Sequence, residues 1–451
     1  MADKLAALIL AAGAGKRMRS ARPKVLHELA GRTMIGHVLA HVAPIAGKVV
    51  VVVGPNQQEV AKAVAPHMAA IQDQPLGTAH AARAGVPALG HWPGEVLILF
   101  GDTPLVSTAT LRRLVAKRRK TGAALAVLGF RPVDPSPYGR LITGKDGALE
   151  AIVESKDASV EQRRIDLSNS GAMVVDGKLL PELLRKVGNR NSKKEYYLTE
   201  LVALARKAGQ RCDYVEGPPE EFLGINNRAE LAAAEAALQR QLRERAMANG
   251  ATLTDPSSVW FSWDTKLGRD VVVGPNVFFG PGVTVSDDVA IRGFCHIVGA
   301  KIGQGSSVGP FARLRPGAVL GRNVHIGNFV EIKATTVADN AKINHLAYIG
   351  DASVGRASNI GAGAITVNYD GFGKYRTEIG DDVFIGSNAS LVAPVKIGRG
   401  ATVGAGSVVV SDVPANSLTI ARPRQRDMAG AAPKLRARNK AKAEAAKAKR
   451  K

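Results

Sequence analysis

The sequence predicts two folds in series, an open α/β sheet and a parallel β-helix, joined by a connecting helix. Residues 1–227 alternate short apolar runs with amphipathic segments, residues 228–250 are rich in helix formers, and from residue 251 aliphatic residues recur every six positions. A length of 451 residues suits two or three domains.

In the first stretch, Leu5–Ala12, Lys48–Val53, Glu95–Phe100 and Ala123–Leu128 are apolar along their length rather than at alternate positions. Such runs fit parallel strands covered on both faces, with helices between them. The segment from Arg228 to Gly250 has Ala, Leu, Gln, Glu and Arg with no internal glycine or proline, which predicts a helix of about six turns stopped by Gly250.

The repeat runs through Leu267, Val273, Phe279, Val285, Ile291 and Ile297, then Ile302, Val308, Leu314, Leu320, Ile326 and Ile332, and later Ile379, Ile385, Leu391, Ile397, Val403 and Val409. Six fits neither a 3.6-residue helix nor an isolated strand. It fits a triangular coil of about 18 residues, with one inward aliphatic per side and glycine near the corners. The register slips by one at 297–302, 332–337 and 349–354. Asn368–Glu378 is polar and off-period, which predicts a loop leaving the coil, where sites tend to lie.

Only Cys212 and Cys295 are present, which excludes a disulfide framework and a cysteine zinc cluster and suggests a reducing, cytoplasmic setting. No apolar stretch is long enough to span a bilayer. Leu5–Ala14 behind Lys4 has the length of a signal-peptide core, but Gly13-Ala14-Gly15-Lys16-Arg17 after it suits a phosphate loop better. The net charge is +22, of which residues 431–451 hold nine Lys or Arg against Glu444, expected as a disordered solubilising tail of unknown partner. Aromatic content of 5% with no reader motif argues against DNA or RNA as the main ligand. The remaining cations suit small anionic substrates.

Leu8-Ile9-Leu10-Ala11-Ala12-Gly13-Ala14-Gly15-Lys16-Arg17-Met18 is a strand entering a glycine-rich basic turn. A Walker A loop would need glycine at Leu10 and Ser or Thr at Arg17, and a dinucleotide fingerprint would put its third small residue at Met18. A phosphate-cradling turn remains, followed by Pro23-Lys24. Asp102 follows the apolar strand Val96–Phe100, at the carboxyl end where open α/β sheets place ligands.

Together these residues resemble the sugar nucleotidyltransferase signature. The resemblance continues through Gln72-Asp73-Gln74-Pro75-Leu76-Gly77-Thr78, Phe100-Gly101-Asp102, Tyr138-Gly139-Arg140, Ile152-Val153-Glu154, Asn169-Ser170-Gly171, Glu195-Tyr196-Tyr197-Leu198-Thr199 and Gly224-Ile225-Asn226-Asn227. With the six-residue repeat behind it, the chain is similar over about residues 5–425 to the bacterial bifunctional N-acetylglucosamine-1-phosphate uridylyltransferase and glucosamine-1-phosphate acetyltransferase family. The resemblance implies a Rossmann-like nucleotidyltransferase domain (1–227), a helical linker (228–250), a left-handed β-helix acetyltransferase domain (251–430) and a basic tail (431–451). It also implies a homotrimer, and synthesis of UDP-N-acetylglucosamine for cell-wall precursors. A transferase for another sugar phosphate, with the solenoid serving assembly alone, is the competing reading.

By the same resemblance, Arg17 and Lys24 neutralise the triphosphate of UTP, and Asp102 with Asn226 holds Mg²⁺. Leu10, Ala11, Ala12, Gly13, Gln72, Gly77 and Thr78 surround the uridine, and Gly139, Glu154 and Asn169 surround the acetylated sugar. In the second domain it implies glucosamine 1-phosphate at Arg315, Lys333, Tyr348 and Asn359, and acetyl-CoA at Ala362, Asn368, Tyr369, Ser387, Ala405 and Arg422. His345 is the implied general base, an imidazole being the side chain suited to take the amine's proton, with Glu331 a candidate to orient it. Phe100 and Pro75 stand where the family commonly has tyrosine and glutamine.

Overall fold

The apolar runs of the first stretch are central strands because both of their faces are covered. In the computed structural model, which describes residues 5–448, Leu8, Val50, Val52, Val96 and Ile98 join one buried cluster, and Ile9, Val51, Leu97 and Leu99 the cluster on the opposite face. Alternation across the sheet thus hides inside an unbroken apolar sequence. Lys4 and the tail residues Lys449, Arg450 and Lys451 lie outside the described residues.

The sheet runs Cys212–Glu216, Leu125–Phe130, Ser168–Asp176, Glu95–Phe100, Leu5–Leu10, Lys48–Val53 and Met68–Ile71. Neighbours are parallel except Ser168–Asp176, which is antiparallel to both of its partners. The hairpin Arg140–Thr143 and Leu149–Val153 adds two strands beside Ser168–Asp176. Strand order reverses between Leu5–Leu10 and Glu95–Phe100, so a crevice opens at the carboxyl ends of Leu10 and Phe100.

The expected connecting helix forms at Arg228–Ala248. Asn227 caps it, accepting from the Glu230 amide at 2.9 Å. The helix ends at Ala248 with Asn249 as its C-cap, one residue before the expected stop, and Gly250 follows with φ 98°. It packs Ala234 and Ala237 against Leu29, Met34, Leu105 and Ile225. Buried Gln239 closes two bonds with the Phe261 backbone, at 2.6 and 2.9 Å. The chain divides into two compact units. One holds the residues up to Thr265 together with Phe279–Gly282, and the other Lys266–Phe278 and the residues from Val283 on.

In the second unit the strands pair in parallel with the strand three further on, until Thr402–Val403 pairs with Leu418–Thr419, two further on, giving three stacked sheets around one core. Val273, Val285, Ile291, Ile297, Ile302, Val308, Leu314, Leu320, Ile326 and Ile332 are all buried, the inward positions that the six-residue spacing marks. Corners take left-handed backbone at Phe294, Phe311, Phe329, Leu346, Gly363, Asn388 and Gly406. The rings of Phe294, Phe311 and Phe329 stack down one corner at 4.9 and 5.2 Å. The off-period segment leaves the coil after Ile365–Val367, and the coil resumes at Thr377–Ile379, in register with Ala352–Val354. The tail departs from expectation. Ala431–Ala448 forms a helix with no buried residue, because alanine, lysine and arginine are strong helix formers even without packing.

Candidate functional site

At the switch point of the first unit, Leu10, Ala11, Ala12, Gly13, Lys24, Gln72, Gly77, Thr78 and Asp102 line one cavity of about 300 Å³, with Val25, Pro75, Ala81, Phe100 and Glu195. Its floor is the end of the buried strand Leu5–Leu10. Gly15 starts the turn Lys16–Met18 in left-handed backbone, and a Cβ there would lie 2.6 Å from the Lys24 Cβ. Glycine therefore lets the two sides of the basic turn close on each other. Lys24 donates to the Asp102 carboxylate and to the Asn226 side-chain oxygen at 3.3 Å, so two oxygens from distant segments converge on one cationic atom. Arg17 is exposed on the turn and is not among the residues lining the cavity.

The opposite wall is sewn to Glu195–Thr199. Gly77, at φ 115°, meets the Tyr196 backbone so closely that a Cβ would sit 2.5 Å from its carbonyl oxygen. Thr78 accepts from the Leu198 amide at 2.9 Å, and buried Gln72 donates to the Gly77 carbonyl at 3.2 Å. Gln72 also pairs with the His80 ring at 3.1 Å, a partner the sequence did not signal.

The residues expected at the sugar form a second group. The Gly139 carbonyl accepts from the Asn169 amide at 2.8 Å, and a Cβ on Gly139 would lie 3.7 Å from the Glu154 carboxylate. Burial pushes the Glu154 carboxyl up from its ordinary value, although Thr199 donates to it at 3.2 Å. Phe100 links the two groups: it lines the cavity, and its ring packs on Gly171, where a Cβ would come within 2.6 Å.

In the second unit the corners order the chemistry. Asn328, His345, Ala362, Ser387 and Ala405 each immediately precede a left-handed corner residue. Backbone bonds from Leu346 to Asn328, Gly363 to His345, Asn388 to Ala362 and Gly406 to Ser387, at 2.8–3.3 Å, stack them into one column. Arg422 sits at its end, 3.9 Å from where a Gly406 Cβ would be. Small side chains thus follow the histidine coil by coil toward a terminal cation. His345 is exposed, and its Nδ1 lies 2.7 Å from the Asn328 side-chain oxygen.

Across the same corner lies a polar cluster. Lys333 bonds Asp351 at 2.9 Å, and buried Asn368 donates both to Asp351 and to the Tyr348 hydroxyl. Burial would raise the Asp351 carboxyl, but the bonds from Lys333 and Asn368 hold it below the usual range. The bond to Asp351 raises Lys333, and the positive charges of Lys333 and Arg315 lower Lys374. Lys374 is a third cation that the motif reading missed, because it lies on the off-period insertion.

Three expected placements differ. Glu331 does not reach the imidazole: its carboxylate is held by Arg315 at 2.8 Å and Arg313 at 3.3 Å. Asn368 lies with the Lys333–Asp351 cluster rather than on the small-residue column, because its strand ends beside Tyr348 and Asp351. Tyr369 is on the exposed loop, its hydroxyl bonded to the Gly371 carbonyl and its backbone bridged to Lys374. Asn359 belongs to the sheet of Lys342–His345, in register with Lys342.

Residues 7–167 match the MobA-like NTP transferase domain, and residues 299–334 and 376–411 match the bacterial transferase hexapeptide, which makes the coil a left-handed β-helix. The chain is 55% identical to a protein named bifunctional protein GlmU of Paramagnetospirillum magneticum, over 98% of both chains. It is 57% identical to one of the same name from Rhodospirillum rubrum, over 96% of this chain and 98% of that one. A third, from Xanthobacter autotrophicus, is 52% identical over 94% and 96%. Among the described residues no helix is long and apolar enough to cross a membrane. Full-length identity of this order, with a nucleotidyltransferase crevice in one unit and a hexapeptide coil in the other, places the chain in the GlmU family of bifunctional transferases.

Proposed function

We propose that the two units catalyse successive steps to UDP-N-acetylglucosamine. In the second unit, the amine of glucosamine 1-phosphate attacks the thioester carbonyl of acetyl-CoA. A C–N bond forms, the C–S bond breaks and coenzyme A leaves. In the first unit, a phosphate oxygen of N-acetylglucosamine 1-phosphate attacks the α-phosphorus of UTP and pyrophosphate leaves.

The single observation that carries this reading is the column of His345, Ala362, Ser387 and Ala405 ending at Arg422. Its small side chains leave room for an extended thioester arm, and a guanidinium at its end suits the phosphates of coenzyme A. His345 takes the proton lost by the attacking amine. Arg315, Lys333 and Lys374 offer charge for the sugar phosphate, and Tyr348 a hydroxyl.

In the uridylyl step Lys24 and Arg17 neutralise the triphosphate as charge shifts toward pyrophosphate. Asp102 and Asn226 fit magnesium in kind: both offer hard oxygens, and both face a cationic atom, Lys24 Nζ. Among the described residues no group of three or more His, Cys, Asp or Glu is placed to hold a metal. Magnesium held by so few protein oxygens takes its other ligands from water and phosphate, and it would add positive charge beside the reacting phosphates. The column's exposed outer side supports assembly as a homotrimer, with a neighbouring coil closing each site.

The test is product analysis on the full chain. Glucosamine 1-phosphate and acetyl-CoA should give N-acetylglucosamine 1-phosphate and free thiol, and UTP with Mg²⁺ should carry it to the UDP-sugar and pyrophosphate. Absence of acetylated product would leave only the nucleotidyltransferase reading.

A further inference from the structure

Resting on the assignment of His345 as general base, we infer that Asn328 is the positioning residue that sets the tautomer and direction of its ring. Asn328 and His345 are register partners on adjacent strands of one sheet. Each precedes a left-handed corner residue, Phe329 at φ 56° and Leu346 at φ 52°, so the two side chains leave equivalent points of successive coils. Between them the coils approach so closely that a Cβ on Gly327 would lie 1.9 Å from the Asn344 carbonyl oxygen. The amide is therefore held beneath the ring by backbone geometry rather than by a flexible tether.

The contact is 2.7 Å from His345 Nδ1 to Asn328 Oδ1. A carbonyl oxygen only accepts, so the proton belongs on Nδ1 and the Nε2 lone pair is left free to receive a proton from an attacking amine. An amide also does this without charge. A carboxylate in its place would stabilise the imidazolium and keep the ring protonated at higher pH. The one nearby carboxylate that sequence reasoning offered, Glu331, is held by Arg313 and Arg315. The other charged or titratable side chains lining the groove around His345 are Arg292 and His325, and His325 is itself paired with the Ser307 hydroxyl at 3.1 Å.

The experiment uses the full chain and the variants Asn328→Ala, Asn328→Asp and His345→Ala, each assayed for acetyl transfer from pH 5.5 to 9.5, with the thermal melting of the coil followed by circular dichroism as a control on folding. Asn328→Ala should lower the acetyl-transfer kcat about tenfold, the worth of one hydrogen bond to the base, and leave KM for both substrates within about twofold. Asn328→Asp should recover part of that rate and move the acidic limb of its pH profile up by about one unit. Nitrogen chemical shifts of His345 in the unaltered chain, which need no variant to fold, should show the Nδ1–H form. An unchanged kcat and profile in both Asn328 variants, or an Nε2–H ring in the unaltered chain, would overturn the role of Asn328. Full acetyl transfer by His345→Ala would instead remove the base assignment on which it rests.

Discussion

Lys24 and Asp102 stand 78 residues apart in sequence and form one ion pair at the carboxyl edge of the sheet, with only 11% and 22% of their side-chain surface exposed. The pair joins the cation of the basic turn to the carboxylate that follows the central strand. Asp102→Ala should therefore abolish uridylyl transfer and leave acetyl transfer intact. Lys24→Ala should lower the uridylyl kcat about 10²–10³-fold, as expected when one group facing developing charge is removed. Both activities measured on each variant decide this; loss of acetyl transfer in either would argue against independent sites.

Gly77 tests the wall opposite. At φ 115°, with the Tyr196 carbonyl 2.5 Å from any added Cβ, alanine must push the loop off the Glu195–Thr199 segment. Gly77→Ala should raise KM for UTP at least tenfold and cost about 1–3 kcal/mol of stability. Steady-state kinetics and thermal melting check the two parts separately. An unchanged KM would mean that the loop does not contact the nucleotide.

The β-helix was legible from the sequence because its inward residues repeat without regard to function, as Ile291, Val308 and Ile326 show. The site was legible only in part. Ala362, Ser387 and Ala405 are seventeen or more residues apart and chemically plain, and what unites them is the residue that follows each. Gly363, Asn388 and Gly406 share a left-handed backbone, which is a property of the fold. The resemblance also misdirects. Glu331 lies two strands before His345 in sequence order, two arginines hold its carboxylate, and the ring's partner came from Asn328. Tail helicity was missed because charge was weighed above the helix propensity of its alanines.

Substitution along the column should separate the two acetyl-transfer substrates. Ser387→Leu would place a branched chain where the column has only small groups, and KM for acetyl-CoA should rise more than tenfold while KM for glucosamine 1-phosphate changes little. Arg422→Ala should weaken acetyl-CoA by about tenfold, the loss of one charge-assisted contact. Coenzyme A lacking its 3′-phosphate should bind both forms equally if Arg422 meets that phosphate. A full arginine effect with the shortened coenzyme would place Arg422 elsewhere on the ligand.

Glu154 gives a stability test with a definite sign. Burial raises its carboxyl above the ordinary value, so the folded chain binds this proton more tightly than the unfolded chain. Below about pH 4.3 both states hold the proton and the site has no linked cost. As pH rises through the window above that value, the unfolded chain releases the proton first and stability falls. Glu154→Gln keeps an oxygen able to accept from Thr199 and removes the charge. Its melting temperature should match that of the unaltered chain near pH 4, exceed it increasingly as pH rises, and level off once the folded carboxyl has also ionised. The same variant should raise KM for N-acetylglucosamine 1-phosphate. A melting difference that is flat with pH would show that the carboxyl is solvated.

The connecting helix tests where the first unit ends. Ala234 and Ala237 are buried against Leu29, Met34, Leu105 and Ile225, residues that also flank the segment carrying Asp102 and Asn226. Asn227 caps the helix, and the Asn226 amide donates to Glu230 at 2.6 Å, so the first helical turn fixes the residue expected to share the metal with Asp102. A fragment of residues 1–227 keeps the sheet and every cavity-lining residue but loses this turn. It should fold with a lower melting temperature than residues 1–265, and its uridylyl transfer should need more Mg²⁺ for half-maximal rate. If the two fragments show the same Mg²⁺ dependence, the helix does not position Asn226.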